Sequence, residues 1–475
     1  MRRAPALAVV FASSAAVLVV EIVANRLMAP YVGVSLETFT GIIGVVLAGI
    51  ATGATVGGRL ADRHDPRRLL PAALGLGGLL VWVAVPIVRA LGPSLTHGPV
   101  AIVLLATAGY FAPSAALSAV TPIVAKLRLS SLDDTGSVFG GLSAAGTAGG
   151  LAGTFMTGFV LVTTLGSRTT MFLVGASMLL LAAVVHFWLL RRLPGVTPVA
   201  LAFAGGLSVF GFDAACEYET KYACASVVVD PDNPADIDLV LDSARHGNVH
   251  LDDPTVLELR YVRLFAAVVA SMSDGPVDAL HLGGGSFTFP RHLEAVRPGS
   301  TNLVLEVDPG VVDIAEERLG LVLDDDLRVR VGDARTALPD LTSDSFDLIV
   351  GDAFAGQTVP WHLTTAEVVE ELDRLLRDDG VYVMNVIDGG DDRFARAMLA
   401  TLRTGFDHVA ALLPDDRLSI GARNQVLIAS DSPIPDGIAP GDDGVLVEGK
   451  ALDDYIGGAQ VLTDDHAPAD QLSAT

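Results

Sequence analysis

Six long apolar stretches occupy the first 195 residues, at about 6–28, 38–58, 69–88, 99–125, 136–162 and 169–190. Each runs to around 20 residues, and a helix rising about 1.5 Å per residue then crosses a hydrocarbon layer of about 30 Å. The pattern predicts six membrane-spanning helices. Beyond residue 213 the periodicity changes to short apolar or alternating runs broken by polar turns. The runs YACASVVVD and DIDLVLD flank the breakers Pro231, Asp232, Asn233 and Pro234, predicting a hairpin or small antiparallel sheet within 218–242. Residues 255–271 read as a helix, with Leu257, Tyr261, Leu264, Phe265 and Val268 at helical spacing. Strand and helix then alternate: VDALHL, helix 288–296, NLVLEV, helix 310–319, LRVRV, FDLIVGD, helix 365–377, GVYVMNVI, helix 391–403 and a last strand near 424–430. Such alternation predicts a largely parallel sheet. The expected fold is a multi-span α-helical membrane module (1–195) fused to a small β domain with a linking helix (213–275) and a Rossmann-like α/β domain (276–435). An acidic tail (436–475) follows, placed to cover the site.

Charge sharpens this division. Residues 1–195 carry 6 acidic and 13 basic side chains, whereas the whole chain carries 55 and 31. One part suits lipid and the other water. Arg2 and Arg3, Arg59, Arg63, Arg67 and Arg68, Lys126 and Arg128, and Arg191 and Arg192 all fall in loops on one side of a six-span bundle. The positive-inside rule makes that side cytoplasmic, and six spans return the chain to it. The apolar segment 196–212, VTPVALAFAGGLSVFGF, complicates the count, because a seventh crossing there would place the acidic domain outside the cell. Glycines recur in the second span (Gly49, Gly53, Gly57, Gly58) and the fifth (Gly140 to Gly153), which permits close helix packing. Glu21, Asn25 and Arg26 near the end of the first span read as an internal salt bridge or a site.

Only three lysines occur, Lys126, Lys221 and Lys450, amid dense Asp in the second part. A strongly acidic, Lys-poor surface suits concentrated salt, which screens self-repulsion, so a halophilic source is expected. The same field excludes a nucleic-acid partner, since no basic stripe neutralises phosphates. Cys216 and Cys224 provide no metal set; their spacing permits pairing where the segment turns back on itself, but in a cytosolic domain two free thiols are expected. No cleavable leader is expected, and no pair of histidines has metal-ligand spacing.

The candidate chemistry lies at strand ends. Gly283, Gly284 and Gly285 end the first strand of the α/β region, where backbone must pass closely beneath a ligand. Glu306 follows 23 residues after Gly283, at the separation of an acid that accepts the hydrogen bonds of a ribose diol. With Asp308, Asp333 and Asp352, all after apolar strands, the joint pattern indicates a nucleoside-containing ligand.

On these residues the chain resembles the spermidine synthase (polyamine aminopropyltransferase) family, in its membrane-fused branch. The resemblance spans about residues 218–430 and rests on LHLGGG at 280–285, Gly332-Asp333-Ala334 and FDLIVGDAF at 346–354. Further branch features are RH at 245–246, VPWHLTTAE at 359–367 and LTDDHAP at 462–468. It implies a β domain plus a methyltransferase-like Rossmann domain, often a homodimer, using S-adenosylmethionine or its decarboxylated form and no metal. Gly283, Gly284, Gly285, Glu306, Asp308, Asp333 and Ala334 would bind that cofactor. Asp352 would deprotonate the attacking amine, and Tyr222 and Tyr261 would flank the site.

Two departures bear on function. Soluble members follow the glycine triplet with Asp and Gly, where this chain has Ser286 and Phe287, and carry a second Asp three residues after the base, where it has Ala355. Those carboxylates would face cationic amines. An alkyl amine is mostly protonated near pH 7, so one carboxylate must take its proton and others hold its remaining charge. Asp464, Asp465 and Asp470 are candidates for the second task, with a solvated acidic tail as the alternative. His362 is a second base, an orienting residue or a hydrogen-bonded loop histidine. Thr364 or Thr365 is positioned to cap the helix after it. The first reading is a membrane-anchored aminopropyltransferase acting on a small amine, with its soluble domain in the cytoplasm, where adenosylated donors are made. The rivals are an AdoMet-dependent methyltransferase and a transporter whose soluble domain senses a polyamine or nucleoside.

Overall fold

A computed structural model describes the chain except residues 96–97, 130–134, 193–194, 196–199, 201–203, 210–215, 243, 357, 415–422 and 474–475. It forms two compact units, Met1–Glu219 and Thr220–Thr475.

Among the described residues of the first unit, six helices are long and apolar enough to cross a membrane. They are α1 (Arg3–Val32), α2 (Leu36–Arg63), α3 (Pro66–Leu91), α4 (Pro99–Arg128), α5 (Thr135–Leu161) and α6 (Ser167–Leu190). Polar groups set their starts: Ser35 accepts the Thr38 N–H at 3.2 Å, and Asp65 accepts that of Arg67 at 3.0 Å beside Pro66. Glycine sets the packing. A methyl at Gly149 or Gly153 of α5 would overlap the carbonyl oxygens of Phe11 and Ala15 on α1, and one at Gly53 of α2 would overlap Ala115 on α4. Lipid supplies no hydrophobic drive between helices, so such backbone contact is a main source of cohesion.

Arg26 does not pair with Glu21. Five residues of helix set the two side chains roughly 140° apart around α1, and Arg26 instead holds Glu219 at 3.2 Å. The expectation of free thiols also fails: Cys216 and Cys224 are both disulfide-bonded. The chain reverses between them in a turn closed by the Thr220 N–H and the Ala223 carbonyl at 3.0 Å. Of the segment 196–212, the alternative seventh crossing to the six predicted spans, most lies outside the described residues, and residues 204–209 are helical.

In the second unit, antiparallel strands β1 (Cys224–Val229), β2 (Asp236–Leu241) and β3 (Ala244–His250) lead to α7 (Arg260–Ser271). An eight-stranded sheet follows, built from β4 (Asp278–Leu282), β5 (Thr301–Glu306), β6 (Leu327–Val331), β7 (Phe346–Gly351), β8 (Leu376–Asp388), β9 (His408–Leu413), β10 (Arg423–Ser430) and β11 (Val445–Val447). Its order is β11-β9-β10-β8-β7-β4-β5-β6. The β6–β5–β4–β7–β8 part is parallel, and β10, β9 and β11 join antiparallel.

The two-residue period of a strand divides the core. Val381 and Val383 of β8 face a layer with Phe265, Val268 of α7 and Phe289, Leu293 of α8 (Thr288–Val296). Tyr382 and Met384 face the other layer. That layer holds Val368 and Leu372 of α10 (Ala366–Leu375), after α9 (Pro309–Arg318), with Phe394 and Met398 of α11 (Arg393–Leu402). Helix α12 (Gly449–Ile456) and α13 (Ala469–Ser473) complete the C-terminal segment, whose Leu452, Leu462 and Leu472 are buried in this layer. Strands β9 and β11 escaped the periodicity reading, because their short apolar runs carry no alternation.

Replacing Gly149 by Val should lower the melting temperature of the detergent-solubilised protein by several degrees, as expected for overpacking of about 1–3 kcal/mol. Gly140→Val, on the same helix with nothing within 4 Å of the added carbon, should melt within about a degree of the parent. Thermal unfolding followed by size-exclusion fluorescence compares the two.

Candidate active site

The sheet register brings the glycine turn to the acid of β7. Leu282 pairs with Gly351, so the residues that follow, Gly283 and Asp352, sit side by side at the carboxyl ends of two adjacent parallel strands. The Asp352 N–H donates to Leu282 O at 2.9 Å, and the Gly283 N–H donates to Leu305 O at 2.9 Å. Gly283 has φ +98, and a methyl there would overlap the Asp352 carbonyl oxygen. Both the conformation and the space require glycine.

Glu306 ends β5 and is buried. One carboxylate oxygen accepts the Gly284 N–H at 2.8 Å and the other the Asp308 N–H at 2.8 Å. Burial pushes its pKa up, and the backbone donors, including Gly285, oppose that rise. Each oxygen keeps acceptor capacity beyond these bonds, which fits a ribose diol. Asp308 is more fully committed. It caps α9 through the Gly310 N–H at 3.0 Å, accepts the Thr220 hydroxyl, and lies 3.3 Å from the Tyr222 N–H. Thr220 thereby ties the β domain to the strand end. The side chain of Tyr222 is 49% exposed, beneath Lys221, whose Nζ is 5.0 Å from the ring centre.

Asp352 is half-buried by exposure yet enclosed by protein, and its pKa is pushed up to about 6. Burial is the main cause, opposed by hydrogen bonds from Asn385 and Tyr261 and by the nearby His246. Asn385 Nδ2 donates to Asp352 at 2.9 Å, and Asn424 Nδ2 donates to Asn385 Oδ1 at 3.0 Å, which fixes the amide's orientation. The Tyr261 hydroxyl has its pKa driven well up by burial and by Asp352, so it stays neutral and donates. His246 is held between two carbonyls, with Nδ1 3.1 Å from Ala244 O and Nε2 3.1 Å from Gly356 O. Tyr261 and Asp352, 91 residues apart, thus meet.

A second group forms around Asp333. One of its oxygens faces the Thr336 N–H at the start of a helical turn, Ala334–Ala337, and the other meets His362 Nε2 at 3.1 Å. The Gly332 N–H donates to Glu306 O at 2.8 Å, joining this loop to the carboxyl end of β5. Asp464 bonds Arg335 at 2.7 Å and the Thr365 hydroxyl at 2.7 Å. Neither Thr364 nor Thr365 caps α10 with its side chain, because Thr364 turns back to Trp361 O and Thr365 to Asp464. Trp361, Asp464, Asp465 and Asp470 line an open depression of about 360 Å³. An indole and three carboxylates line it, with the charge of Asp464 already offset by Arg335.

Where the carboxylate and glycine expected after the triplet are missing, the structure has a neutral network. Ser286 is buried and lies 2.8 Å from the Thr288 hydroxyl, which donates to Asn248 O on β3. Phe287 adopts φ +55 and folds its ring against Gly284. Sequence reasoning passed over Asn385 and Thr220 and left His246 without a role. Asn385, a polar residue interrupting the apolar run of GVYVMNVI, was the one legible signal.

The model of the Major Facilitator Superfamily matches residues 6–270. The chain is similar to the "Polyamine aminopropyltransferase" of Vibrio vulnificus, 35% identical over 128 residues, 26% of this chain and 42% of that protein. The protein of the same name from Chromobacterium violaceum is 28% identical over 148 residues, 31% of this chain and 56% of that one. The chain spans about half the length of these curated relatives. A probable spermidine synthase from Corynebacterium glutamicum is 26% identical, with a TM-score of 0.49 over 52% of this chain and 95% of that structure. With more than half of its length matched, the chain belongs to the Major Facilitator Superfamily, its membrane-spanning module fused to a domain distantly similar to polyamine aminopropyltransferases.

Proposed function

We propose that residues 220–475 are a transferase of the polyamine aminopropyltransferase type, with Asp352 as general base. The observation that carries this reading is the position of Asp352: at a strand end against Gly283, held by Asn385 and Tyr261, with its pKa at about 6. A base that is ionised at pH 7 yet only modestly weaker than the medium demands is suited to taking a proton from an ammonium acceptor.

In this reading the glycine turn and Glu306 hold the nucleoside of decarboxylated S-adenosylmethionine, a substrate that supplies a sulfonium-activated carbon. Asp333 and Ala334 lie on its adenine side. Asp352 accepts a proton from the acceptor's ammonium. The freed nitrogen lone pair forms a C–N bond at that carbon while the C–S bond breaks, and the electron pair leaves with sulfur as a neutral thioether. Tyr261 donates to Asp352 and holds it in place, and His362 orients Asp333. Asp464 and Asp465 bind the remaining positive charge of a di- or polyamine, and Tyr222 lies toward the same substrate. The homodimer implied by the resemblance belongs to this reading too.

A second reading is AdoMet-dependent methyl transfer, and the neutral Ser286–Thr288 network favours it. With no carboxylate at that position, nothing there selects a donor's free ammonium over the zwitterionic amino-acid end of AdoMet itself. Parallel incubation of the purified protein with both donors and a panel of amines, read by mass spectrometry, decides between them. Aminopropylated products are expected; methylated products only would sink the first reading.

Three outcomes follow for variants. Asp352→Asn should lower kcat/KM at least 100-fold, and the parent's kcat/KM should show an acidic limb near pH 6 as the base becomes ionised. The same variant should stabilise the fold at pH 8. A carboxyl whose folded pKa lies above its unfolded value loses stability as pH rises from about 4 through 6, and removing that charge should restore about 1–3 kcal/mol, measured by denaturation at pH 5 and pH 8. Asp465→Asn should raise the KM for the amine about tenfold with kcat within threefold, in steady-state kinetics.

A further inference from the structure

The two ends of the helical bundle are chemically distinct. At one end the N-terminal amine donates to Leu127 O at 3.3 Å, Arg128 donates to Met1 O at 3.1 Å, and Lys126 pairs with Asp62 at 2.6 Å. This end gathers Arg2, Arg3, Arg59, Arg63, Arg67, Arg68, Lys126 and Arg128, with Arg191 and Arg192 following α6. The positive-inside rule makes it cytoplasmic. The other end holds the α1–α2 turn, Gly92 against Tyr31, and the start of α6 at Ser167. Its arginines among the described residues are three, Arg26, Arg89 and Arg168.

Glu219, the last residue of this unit, sits at that other end. Both of its carboxylate oxygens lie 2.9 Å from the Ser167 N–H, the Ser167 hydroxyl donates to one of them, and Arg26 Nε lies 3.2 Å away. It occupies the N-terminus of α6, where free N–H groups and the helix dipole favour an anion. Yet the chain left α6 at Leu190, one full helix length away. A 24-residue helix is about 36 Å long, so residues 191–218 must cover that distance. Part of the path is visible. Gly205 and Gly206 pack on Trp82 of α3, Gly206 also on Phe172 of α6, and the buried Val209 accepts Arg168 Nη2 at 2.8 Å through its carbonyl. These contacts climb from inside the bundle to the level of Arg168.

We propose that the chain crosses the membrane a seventh time between Leu190 and Glu219, so that residues 220–475 and their site face the non-cytoplasmic side. The disulfide-bonded state of Cys216 and Cys224 is an independent support, since such bonds persist in oxidising compartments and not in the reducing cytosol. For the identity of the substrate this placement rests on the transferase reading. The acceptor is then an amine taken from outside the cytoplasm. An adenosylated donor made in the cytoplasm has to be carried across the membrane before it reaches the site, so a transport step must precede the transfer.

The test uses the full chain in membranes. A protease recognition sequence is inserted in the exposed turn at Pro231–Asn233 in one variant and at His64–Asp65, between α2 and α3, in another. Cleavage of the 231–233 variant in right-side-out vesicles and of the 64–65 variant only in inverted ones is expected. Cleavage of both in the same vesicle orientation overturns the proposal. The unaltered protein offers a check that needs no insertion: cells quenched with a bulky maleimide before lysis should yield no thiol-modified protein until a reductant is added, and two modified thiols without reductant would count against it. Neither readout depends on turnover. A failed transferase assay in detergent therefore leaves this topology standing, and cleavage from the wrong side leaves the transferase assay unaffected.

Discussion

Everything proposed for the soluble unit hangs on one pairing, Leu282 opposite Gly351 in neighbouring parallel strands. Parallel strands end on the same edge of a sheet, so the residues that follow each strand become neighbours however far apart they lie in sequence. The pairing sets Gly283 against the Asp352 carbonyl, and β5, next in the sheet, delivers Glu306 to the same edge. A shift of one residue in β7 would turn Asp352 to the opposite face and bury its carboxylate among the apolar side chains of the sheet. The layers on both faces, which take Leu348 and Val350 of β7 on one side and Phe346 and Ile349 on the other, oppose that shift.

The cost of this arrangement is a carboxylate held where water is scarce. Burial alone would push Asp352 higher than about 6, and the Asn385 amide, the Tyr261 hydroxyl and His246 restrain it. Asn385 is itself anchored by Asn424 from the antiparallel strand β10. The antiparallel part of the sheet, which carries none of the predicted site residues, thus acts on Asp352 at second hand. Glu306 shows the same balance, with backbone N–H groups offsetting its desolvation.

The membrane unit obeys a different constraint. Its helices meet through backbone where Gly149, Gly153 and Gly53 leave no side chain, because packing rather than water exclusion holds them together in lipid. Its polar groups are correspondingly consequential. Arg26 is matched by a carboxylate 193 residues away rather than by Glu21 on its own helix, and that match fixes where the chain leaves the bundle.

The sequence by itself determined the features that depend on short stretches of chain. Twenty-residue apolar runs mark spans because a bilayer has one thickness. Period-two and period-3.6 patterns mark strands and helices, and glycines and acids directly after strands mark the carboxyl edge of the parallel sheet. Tertiary structure decided what depends on approach between distant segments. It brought Asn385, His246 and Tyr261 around Asp352, folded Leu452, Leu462 and Leu472 of the acidic C-terminal segment into the core, and left neither cysteine the free thiol that composition suggested. Local periodicity records which face of an element is apolar, and not which other element will cover it. The partner of a buried charge is chosen by that second, non-local step, and so Glu219 became legible only once the bundle was folded.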